Sequence, residues 1–458
     1  MSGTRQKIQY SLALVPEGRG EAPGRGHQGT EPPVAKPAPE RPACAEQLME
    51  EVCDRGNLVR AWKRVRSNKG SPGLDGMTIG GAKAYLREQW PNIRSQLLLG
   101  TYQPQPVKRV EIPKPDGGVR KLGVPCVVDR LIQQALLQVL QERWDPTFSE
   151  HSYGFRPGRS AHQAVAQAQR YIAAGYTVVV DLDLEKFFDR VNHDGVMARV
   201  AARVSDKRVL KLIRAFLKAG VMEDGLVSPV DEGTPQGGPL SPLLSNLVLD
   251  DLDKELTRRG HRFCRYADDC NIYVRSRRAG ERVITSVSRF LTRKLRLKVN
   301  EAKSAVARPE ERKFLGFSIS NDGSERRIAP KALDKFKTQI RDMTRRTRGI
   351  SLPQLIEELA PYLLGWRGYF GFCQTPRVLT NLEAWIRRRL RSYLWRQWQN
   401  GHNRFTELRR RGVPKFHAAV AAGSPTGLWR MSGHPAVQQA LRNHCFDSLG
   451  LPRLHVPD

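Results

Sequence analysis

The sequence contains no long apolar run. Nowhere in its 458 residues is there a stretch that approaches the roughly eighteen uninterrupted apolar residues of a membrane span. The short apolar segment 12–15 is too brief for the core of a secretory signal peptide. An integral membrane protein is therefore excluded, and no membrane partner is expected.

Cysteine is scarce, and its spacing has no pattern. The seven cysteines are odd in number, scattered along the chain, and form no Cys-x-x-Cys pair: Cys44, Cys53, Cys126, Cys264, Cys270, Cys373 and Cys445. This spacing excludes a disulfide framework and a zinc ribbon. We therefore expect a reducing environment and a cytoplasmic location.

Acidic residues are few relative to basic ones. Asp and Glu total 46 against 76 Lys and Arg, which gives a formal net charge of +30. A charge of this size indicates a polyanionic partner; nucleic acids and anionic membrane surfaces both carry such charge, and we expect nucleic acid rather than a membrane. The length suits two or three domains, and 40% apolar residues are enough to build their cores.

The first 44 residues differ in composition from the rest. They hold seven Pro and six Gly and read as a disordered leader, for which we predict no function. From residue 48 onward, strand and helix patterns alternate, which predicts an α+β domain over roughly residues 50–320. The predicted elements are a strand, turn and returning strand at 107–124, a helix at 130–143, a strand at 176–184, a helix at 204–220 and a hairpin at 262–274.

Beyond Pro330 the chain becomes more basic and more helical. From Lys331 to the end there are 22 Lys and Arg against 8 Asp and Glu, and five of the eight tryptophans. An apolar stripe at helical spacing comprises Leu382, Trp385, Ile386, Leu390, Tyr393 and Leu394. Arg387, Arg388 and Arg391 lie largely off this stripe. The pattern predicts a separate helical module with a basic outer face.

Carboxylates occur where apolar residues are expected. In the run 178–184, Asp181 and Asp183 fall on the same face of a predicted buried strand, because side chains alternate with period two. An unpaired buried carboxylate is costly, so a cation must lie nearby. The alternative is an edge strand that exposes one face to solvent.

A second acidic pair, Asp268 and Asp269, falls at the turn of the hairpin predicted at 262–274. Adjacent aspartates repel each other, and a divalent metal ion removes that repulsion. Carboxylates from two strands are what a two-metal phosphoryl-transfer site needs. The alternative for Asp268 and Asp269 alone is an ordinary Asx turn.

An ordered series of segments resembles the group II intron-encoded reverse transcriptase/maturases. Two of them, Asp183–Asp189 and Tyr266–Asp269, resemble the palm of a reverse transcriptase. The others follow in the expected order: Ile112–Pro125, Ser152–Arg159, Gly233–Pro242, Leu297–Ser304, Phe314–Phe317 and Gly365–Phe370. The resemblance implies a right-hand polymerase with fingers and palm at 45–324, a helical thumb/maturase domain at 325–400, and a short basic DNA-binding extension at 401–458.

The resemblance also implies roles for individual residues. Asp183, Asp268 and Asp269 match the ligands of two Mg²⁺ ions, whereas Asp181 has no assigned role. The implied nucleotide-binding residues are Lys114, Arg120, Phe188, Gln236 and Lys303. The implied primer- and RNA-binding residues are Phe314, Leu315, Gly316 and Phe317, with Arg387, Arg388 and Arg391 in the thumb. Without the resemblance, Lys114 and Arg120 would be a solvated hairpin tip, and Phe188 would be a core residue like Phe187.

Three functional readings remain at this point. The first is an RNA-directed DNA polymerase that binds its group II intron RNA, promotes splicing, and supports mobility at a DNA target by target-primed reverse transcription with dNTPs. The second is a splicing maturase with vestigial polymerase activity. The third is a domesticated reverse transcriptase of the retron or defence kind. The histidines near the C-terminus show no H-N-H nuclease pattern, so we expect the endonuclease-lacking bacterial type.

Overall fold

The architecture comes from a computed structural model that describes residues 47–456, except 114–118, 186, 224–225 and 229–236. The predicted leader at 1–44 lies outside the described residues. Those residues fall into two compact units that divide between Ala329 and Pro330. The change in composition beyond Pro330 therefore coincides with the change of unit.

The first unit mixes helices with three small sheets, as expected for an α+β fold. Its helices are α1 Leu48–Val52, α2 Arg55–Ser67, α3 Ile79–Leu99, α4 Val127–Trp144, α5 Ala161–Ala173, α6 Phe187–Arg190, α7 His193–Ala201, α8 Lys207–Lys218, α9 Ser241–Arg258 and α10 Arg277–Phe290. Its strands are β1 Val107–Pro113, β2 Val119–Val124, β3 Val178–Leu182, β4 Val221–Glu223, β5 Leu226–Ser228, β6 Arg262–Tyr266, β7 Asp269–Val274, β8 Ala305–Ala307, β9 Phe317–Ile319 and β10 Arg326–Ile328.

The central sheet has the order β6-β7-β3-β8, and all its neighbouring strands are antiparallel. Its pairing places Asp181 of β3 between Asn271 of β7 and Ala305 of β8. A second sheet has the order β2-β1-β4-β5, and β9 pairs with β10. The apolar residues of β3 pack into one large core together with those of α4 and α9, which are buried along most of their length. The acidic residues of β3 and the β6–β7 turn thus sit on a rigid base.

Local sequence signals explain where several elements start. Strands β1 and β2 occupy the residues predicted for them, although the turn 114–118 lies outside the described residues. The helix predicted at 204–220 is α8, which begins after Asp206 because that carboxylate accepts a hydrogen bond from the Arg208 N–H. Helix α5 begins at a capping box in which Ser160 and Gln163 each satisfy the other's backbone N–H.

The second unit is helical throughout its described residues. Its helices are α11 Pro330–Met343, α12 Leu352–Phe370, α13 Pro376–Gln397, α14 Gly401–Arg410, α15 Lys415–Gly423, α16 Leu428–Met431, α17 Pro435–Ala440 and α18 Asn443–Asp447. Residues 401–456 belong to the same compact unit as α11–α13. The segment predicted as a basic extension thus folds in the same unit as α11–α13, and its binding to DNA stays a prediction.

Two of the three arginines predicted for the outer face of α13 are buried. Arg387 and Arg391 are only 7% and 9% exposed. Arg387 forms ion pairs with Glu383 at 3.0 Å and Asp447 at 3.1 Å, while Arg391 donates to the Leu441 carbonyl at 2.9 Å. The expectation that these two residues lie on an exposed outer face was wrong, because Asp447 and Leu441, from the last 20 residues of the chain, contact them. Their binding to RNA stays a prediction.

Arg388 is oriented differently from Arg387 and Arg391. Its guanidinium lies 4.4 Å from the centre of the Trp429 ring.

No described helix is both long enough and apolar enough to cross a membrane.

Candidate active site

Two adjacent aspartates stand at the tip of the β6–β7 hairpin. Tyr266 pairs with Asp269 across the strands, so that Ala267 and Asp268 form the turn. Ala267 has φ +56°, in the left-handed region, which lets the chain reverse within two residues. The predicted hairpin and its turn are confirmed.

Asp183 lies just beyond the end of β3 and is held by the segment 297–304. Its backbone N–H donates to Ser304 Oγ at 3.0 Å, and its carbonyl accepts from the Asn300 N–H at 2.8 Å. Leu184 pairs with Val299 in an isolated bridge. The family-like motif Leu297–Ser304 therefore acts as a brace for the first aspartate.

The acidic side chains form one electrostatic cluster. Partial burial, followed by the negative charges of Asp268, Asp181 and Asp183, raises the pKa of Asp269 to about 7. Asp269 keeps a solvent-accessible surface, so these groups influence one another at an open site. Asp181, Asp183 and Asp268 are therefore close enough to Asp269 for their charges to raise its pKa, and the positive charge of Lys313 does not offset them.

Basic side chains border this cluster without neutralising it. Lys303 Nζ lies 3.9 Å from Asp183 Oδ2, which places the predicted nucleotide-binding lysine beside the predicted metal ligand. Arg312 contacts Asp181 at 2.9 Å and also donates to the Lys303 carbonyl. Lys313 lowers the pKa of both Asp181 and Asp269 against the raising effect of burial. The pair with Arg312 gives Asp181 the partner that the sequence required.

The donor set fits a hard divalent cation. In the part of the chain that is described, no three His, Cys, Asp or Glu side chains are gathered closely enough to hold an ion by themselves. Mg²⁺ is usually held by one or two carboxylates together with water and substrate phosphates, so a looser cluster of aspartates suits it. The like-charge repulsion at Asp269 is what such an ion would relieve.

Arg265, directly before Tyr266, is a supporting residue that the sequence reasoning missed. It is 1% exposed, and all five of its N–H groups are used. It forms a bidentate pair with Asp253 of α9 at 2.6 and 2.7 Å, and donates to Asn246 Oδ1, to Ser152 Oγ and to the Ala267 carbonyl. The last bond fixes the turn that carries Asp268. An arginine inside an apolar strand was the available signal.

The segment Ser152–Arg159 supports the same turn from behind. Gly154 comes so close to the turn that a Cβ there would collide with the Ala267 backbone nitrogen. Asn246 binds the Gly154 carbonyl through Nδ2 at 2.9 Å and Arg265 through Oδ1 at 3.0 Å. This family-like motif therefore positions the hairpin through its backbone.

The predicted nucleotide-binding residues are only partly described. Phe187 is buried at 2% exposure, whereas Phe188 is half-buried, and their rings lie 5.3 Å apart. Lys114 and Gln236 lie outside the described residues, and for Arg120 only the backbone is described. After Gln236, Gly237 has φ +135° and lies against the Gly123 carbonyl, which leaves no room for a side chain.

The predicted primer-binding segment 314–317 is a tight turn in which Phe314 and Phe317 pair with each other. Phe314 and Phe317 are 6% and 1% exposed and belong to the core, so their side chains anchor the turn, and primer binding by this segment stays a prediction. Leu315 and Gly316 form the accessible tip, with φ +52° and +83°.

Each of the two units matches the model of a known protein family. A model of the reverse transcriptase (RNA-dependent DNA polymerase) family matches residues 112–319, and a model of the group II intron maturase-specific domain matches residues 333–412. Protein YkfC of Escherichia coli K12 is 34% identical over 301 residues, which cover 57% of this chain and 79% of YkfC.

A second relative and one solved structure extend the comparison. The group II intron-encoded protein LtrA of Lactococcus lactis subsp. cremoris is 37% identical over 195 residues, which cover 42% of this chain but only 32% of LtrA. The apo telomerase of Candida tropicalis is 14% identical, with a TM-score of 0.40 over 52% of this chain and 60% of that one. The matches in sequence carry the assignment: the chain belongs to the reverse transcriptases of the group II intron type, with a polymerase domain followed by a maturase-specific domain.

Proposed function

We propose that the chain synthesises DNA on an RNA template from dNTPs, with Asp183, Asp268 and Asp269 as ligands of two Mg²⁺ ions. The observation that carries this proposal is the acidic cluster, in which partial burial and then the charges of neighbouring carboxylates raise the pKa of Asp269 to about 7. A divalent cation bound among these carboxylates would offset their mutual repulsion. Reverse transcriptases in general use divalent metal ions, and the number and identity of the ions here belong to the proposal.

The chain's own residues divide the work around this cluster. When bound, the ions would supply the charge that activates a primer 3′-hydroxyl and neutralises a triphosphate. Lys303, at 3.9 Å from Asp183, is mostly exposed and is placed to attract the incoming phosphates. The half-buried ring of Phe188 would lie under the sugar and exclude a 2′-hydroxyl. Lys114, Arg120 and Gln236 complete the proposed nucleotide site on the strength of the family resemblance.

We further propose that the chain binds a group II intron RNA, promotes its splicing and supports its insertion into a DNA target by target-primed reverse transcription. The match of residues 333–412 to the maturase-specific domain supports this, as does the similarity to LtrA. The formal charge of +30 favours binding of long polyanions.

Primer extension tests the proposed chemistry. The change Asp268→Asn with Asp269→Asn keeps the size of both side chains while removing both charges, so extension of a DNA primer on an RNA template should fall by at least about 10³-fold. Affinity for the template–primer should change little, because the carboxylates do not attract phosphates. The matched control is Asp251→Asn, because Asp251 is a partly exposed aspartate of α9 that pairs with Arg199 at 2.7 Å.

The same double variant separates polymerisation from splicing. Splicing needs folded RNA to be bound and does not need these carboxylates, so the variant should promote intron splicing at near-physiological magnesium as well as the wild type. A wild-type chain that promotes splicing without extending primers would favour the vestigial maturase. Extension without any effect on splicing would favour a domesticated enzyme.

A further inference from the structure

Asp181 has no role in the chemistry proposed above, although it lies beside the acidic cluster. It stands in the middle of the central sheet, where β3 pairs with Asn271 of β7 on one side and Ala305 of β8 on the other. Its side chain is 22% exposed. Burying a carboxylate is unfavourable unless it is paired, so the contacts of Asp181 indicate what it contributes.

One arginine connects Asp181 to the turn that carries Lys303. The Arg312 guanidinium contacts Asp181 Oδ2 through Nε at 3.0 Å and through Nη2 at 2.9 Å. The same Nη2 also donates to the Lys303 carbonyl. Because a guanidinium is planar and presents its donors at fixed angles, the carboxylate determines how Arg312 meets the carbonyl. Asp181 therefore orients Arg312, and Arg312 holds the backbone of residue 303.

The other bonds of this turn lead to Asp183. The Asn300 N–H donates to the Asp183 carbonyl at 2.8 Å. The N–H groups of Lys303 and Ser304 donate in turn to the Asn300 carbonyl at 3.2 and 2.9 Å. Main-chain bonds thus fix one side of the turn at 300–304, and Arg312 fixes the other. The Lys303 side chain is 66% exposed, and holding its backbone limits where the ammonium group can reach.

Arg312 itself stands on a fixed part of the chain. Its N–H donates to the Pro309 carbonyl at 3.3 Å, at the end of a single helical turn in which Pro309 is buried. Two residues after Arg312, the buried Phe314 donates its N–H to the Phe317 carbonyl at 2.8 Å. Buried neighbours on both sides limit the movement of Arg312, so it can hold the turn at 300–304 in place.

These contacts favour a positioning role for Asp181 over metal binding. Its Oδ2 accepts from two donors of one arginine, and the positive charge of that arginine would repel a cation at the same oxygen. An ion pair that served stability alone would not need the additional bond from Arg312 to the Lys303 carbonyl.

We propose that Asp181 and Arg312 are positioning residues for nucleotide binding, which hold the turn at 300–304 so that the Lys303 ammonium group meets the triphosphate of the incoming nucleotide. The proposal rests on the proposed polymerase function and deepens it. In this arrangement Lys303 touches the nucleotide, and the other two residues act only through Lys303.

The test measures binding of the next correct dNTP, with Mg²⁺, to the full chain on an RNA template and a 3′-dideoxy primer. A 2-aminopurine in the template reports the bound nucleotide, and the missing 3′-hydroxyl prevents extension. Arg312→Gln should raise the Kd for the dNTP about three- to tenfold, because a charge-assisted contact that holds the turn is lost. With an ordinary primer, KM should rise by the same factor while kcat changes by less than about twofold.

A double-mutant cycle with Lys303→Ala shows whether Arg312 acts through the lysine. Lys303→Ala should raise the Kd at least as much as Arg312→Gln, and the double variant should bind no more weakly than Lys303→Ala alone. Asp181→Asn keeps the size of the side chain and should also raise the Kd, which keeps the test decisive if Arg312→Gln folds poorly.

Arg312→Lys separates positioning from stability. It should keep most of the melting temperature but not the Kd, because an ammonium group lacks the fixed geometry with which a guanidinium binds both oxygens. The matched control is Arg327→Gln, because Arg327 is an exposed arginine of β10 that pairs with Glu325 at 2.8 Å. Its Kd for the dNTP should equal that of the wild type.

Additive losses in the double variant, an unchanged Kd in Asp181→Asn, or a loss confined to kcat would each overturn the proposal. Extension of an ordinary primer by the wild type is measured separately. A wild type that extends primers while the variants show additive losses refutes only the positioning role, whereas a wild type that neither binds the dNTP nor extends primers refutes both proposals.

Discussion

At the scale of single residues, the acidic cluster proposed for catalysis opposes folding. Asp269 is placed where burial and three neighbouring carboxylates disfavour its charged form. A folded chain without metal therefore holds a proton at this site that an unfolded chain would release near pH 4. Binding of the proposed divalent cation would displace that proton, so metal affinity should rise with pH at this residue.

The first prediction at this scale concerns stability in the absence of metal. Because the folded-state pKa of Asp269 is about 7 rather than the usual 3.8, its contribution to the free energy of unfolding falls as pH rises from about 4 to 7. In the Asp269→Asn variant this residue no longer titrates, so its contribution to the free energy of unfolding no longer falls with pH. Since solvent screening limits the effect, we expect the variant to melt about 2–4 °C above the wild type in EDTA at pH 8. A difference at pH 5 as large as that at pH 8 would contradict the linkage.

The second prediction concerns sugar selection. Phe188→Ala removes the ring proposed to exclude the 2′-hydroxyl, so the ratio of kcat/KM for rNTPs to that for dNTPs should rise about 10- to 200-fold. Phe187→Ala should leave this ratio unchanged and destabilise the first unit by about 3–5 kcal/mol, because Phe187 is buried in the core. Steady-state incorporation and thermal melting of both variants measure the two effects.

At the scale of elements, the β6–β7 hairpin depends on the helix behind it. Arg265 connects Asp253 and Asn246 of α9 to the carbonyl of Ala267 in the turn. Removing one partner of such a buried pair costs about 3–5 kcal/mol, because the other charge is left without a partner. The network therefore serves both folding and the placement of the turn.

The prediction at this scale separates those two roles. Arg265→Met should lower both stability and kcat, because it removes the bond to Ala267 and strands Asp253. Adding Asp253→Leu removes the stranded charge and should recover most of the melting temperature. The kcat of the double variant should stay at least about tenfold below that of the wild type, with KM for the primer little changed. Full recovery of kcat together with stability would make Arg265 a purely structural residue.

Elements whose signals lie close together in the chain could be predicted from the sequence. The two strands around residues 114–118 and the hairpin at 262–274 follow from alternation and turn residues. The burial of Arg387 could not be predicted, because Asp447, one of its partners, is 60 residues away in the sequence. In an analysis of helical periodicity, an arginine is assumed to face solvent. Arg265 escaped notice for the same reason: its partner Asp253 belongs to another element.

At the scale of the whole molecule, a formal charge of +30 does not translate directly into a binding surface. Part of the positive charge of the second unit is used internally, since Arg387 ties α13 to Glu383 and to Asp447 near the end of the chain. Basic residues must therefore be divided by their contacts before any is assigned to a nucleic acid.

The last prediction tests this division. Arg387→Ala should destabilise the second unit by about 1–3 kcal/mol, because Glu383 and Asp447 lose their shared partner, although Asp447 keeps Arg453 and Glu383 keeps the backbone N–H groups of Leu454 and His455. The exposed Arg396→Ala should change stability by less than about 0.5 kcal/mol. Limited proteolysis, with cleavage sites mapped between 330 and 456, measures the effect within that unit. Equal protection of the two variants would contradict an internal role for Arg387.

The contact between Gly154 and Ala267 also bears on how this polymerase could be altered by directed evolution. The backbone of residue 267, directly after Tyr266, is enclosed from behind by Gly154 and fixed by Arg265. Diversity at residue 154 would displace the turn as a whole and would yield mostly inactive clones. Substitutions that preserve activity should therefore be found only among side chains that point away from Gly154. A library should keep residues 154, 265 and 267 unchanged together.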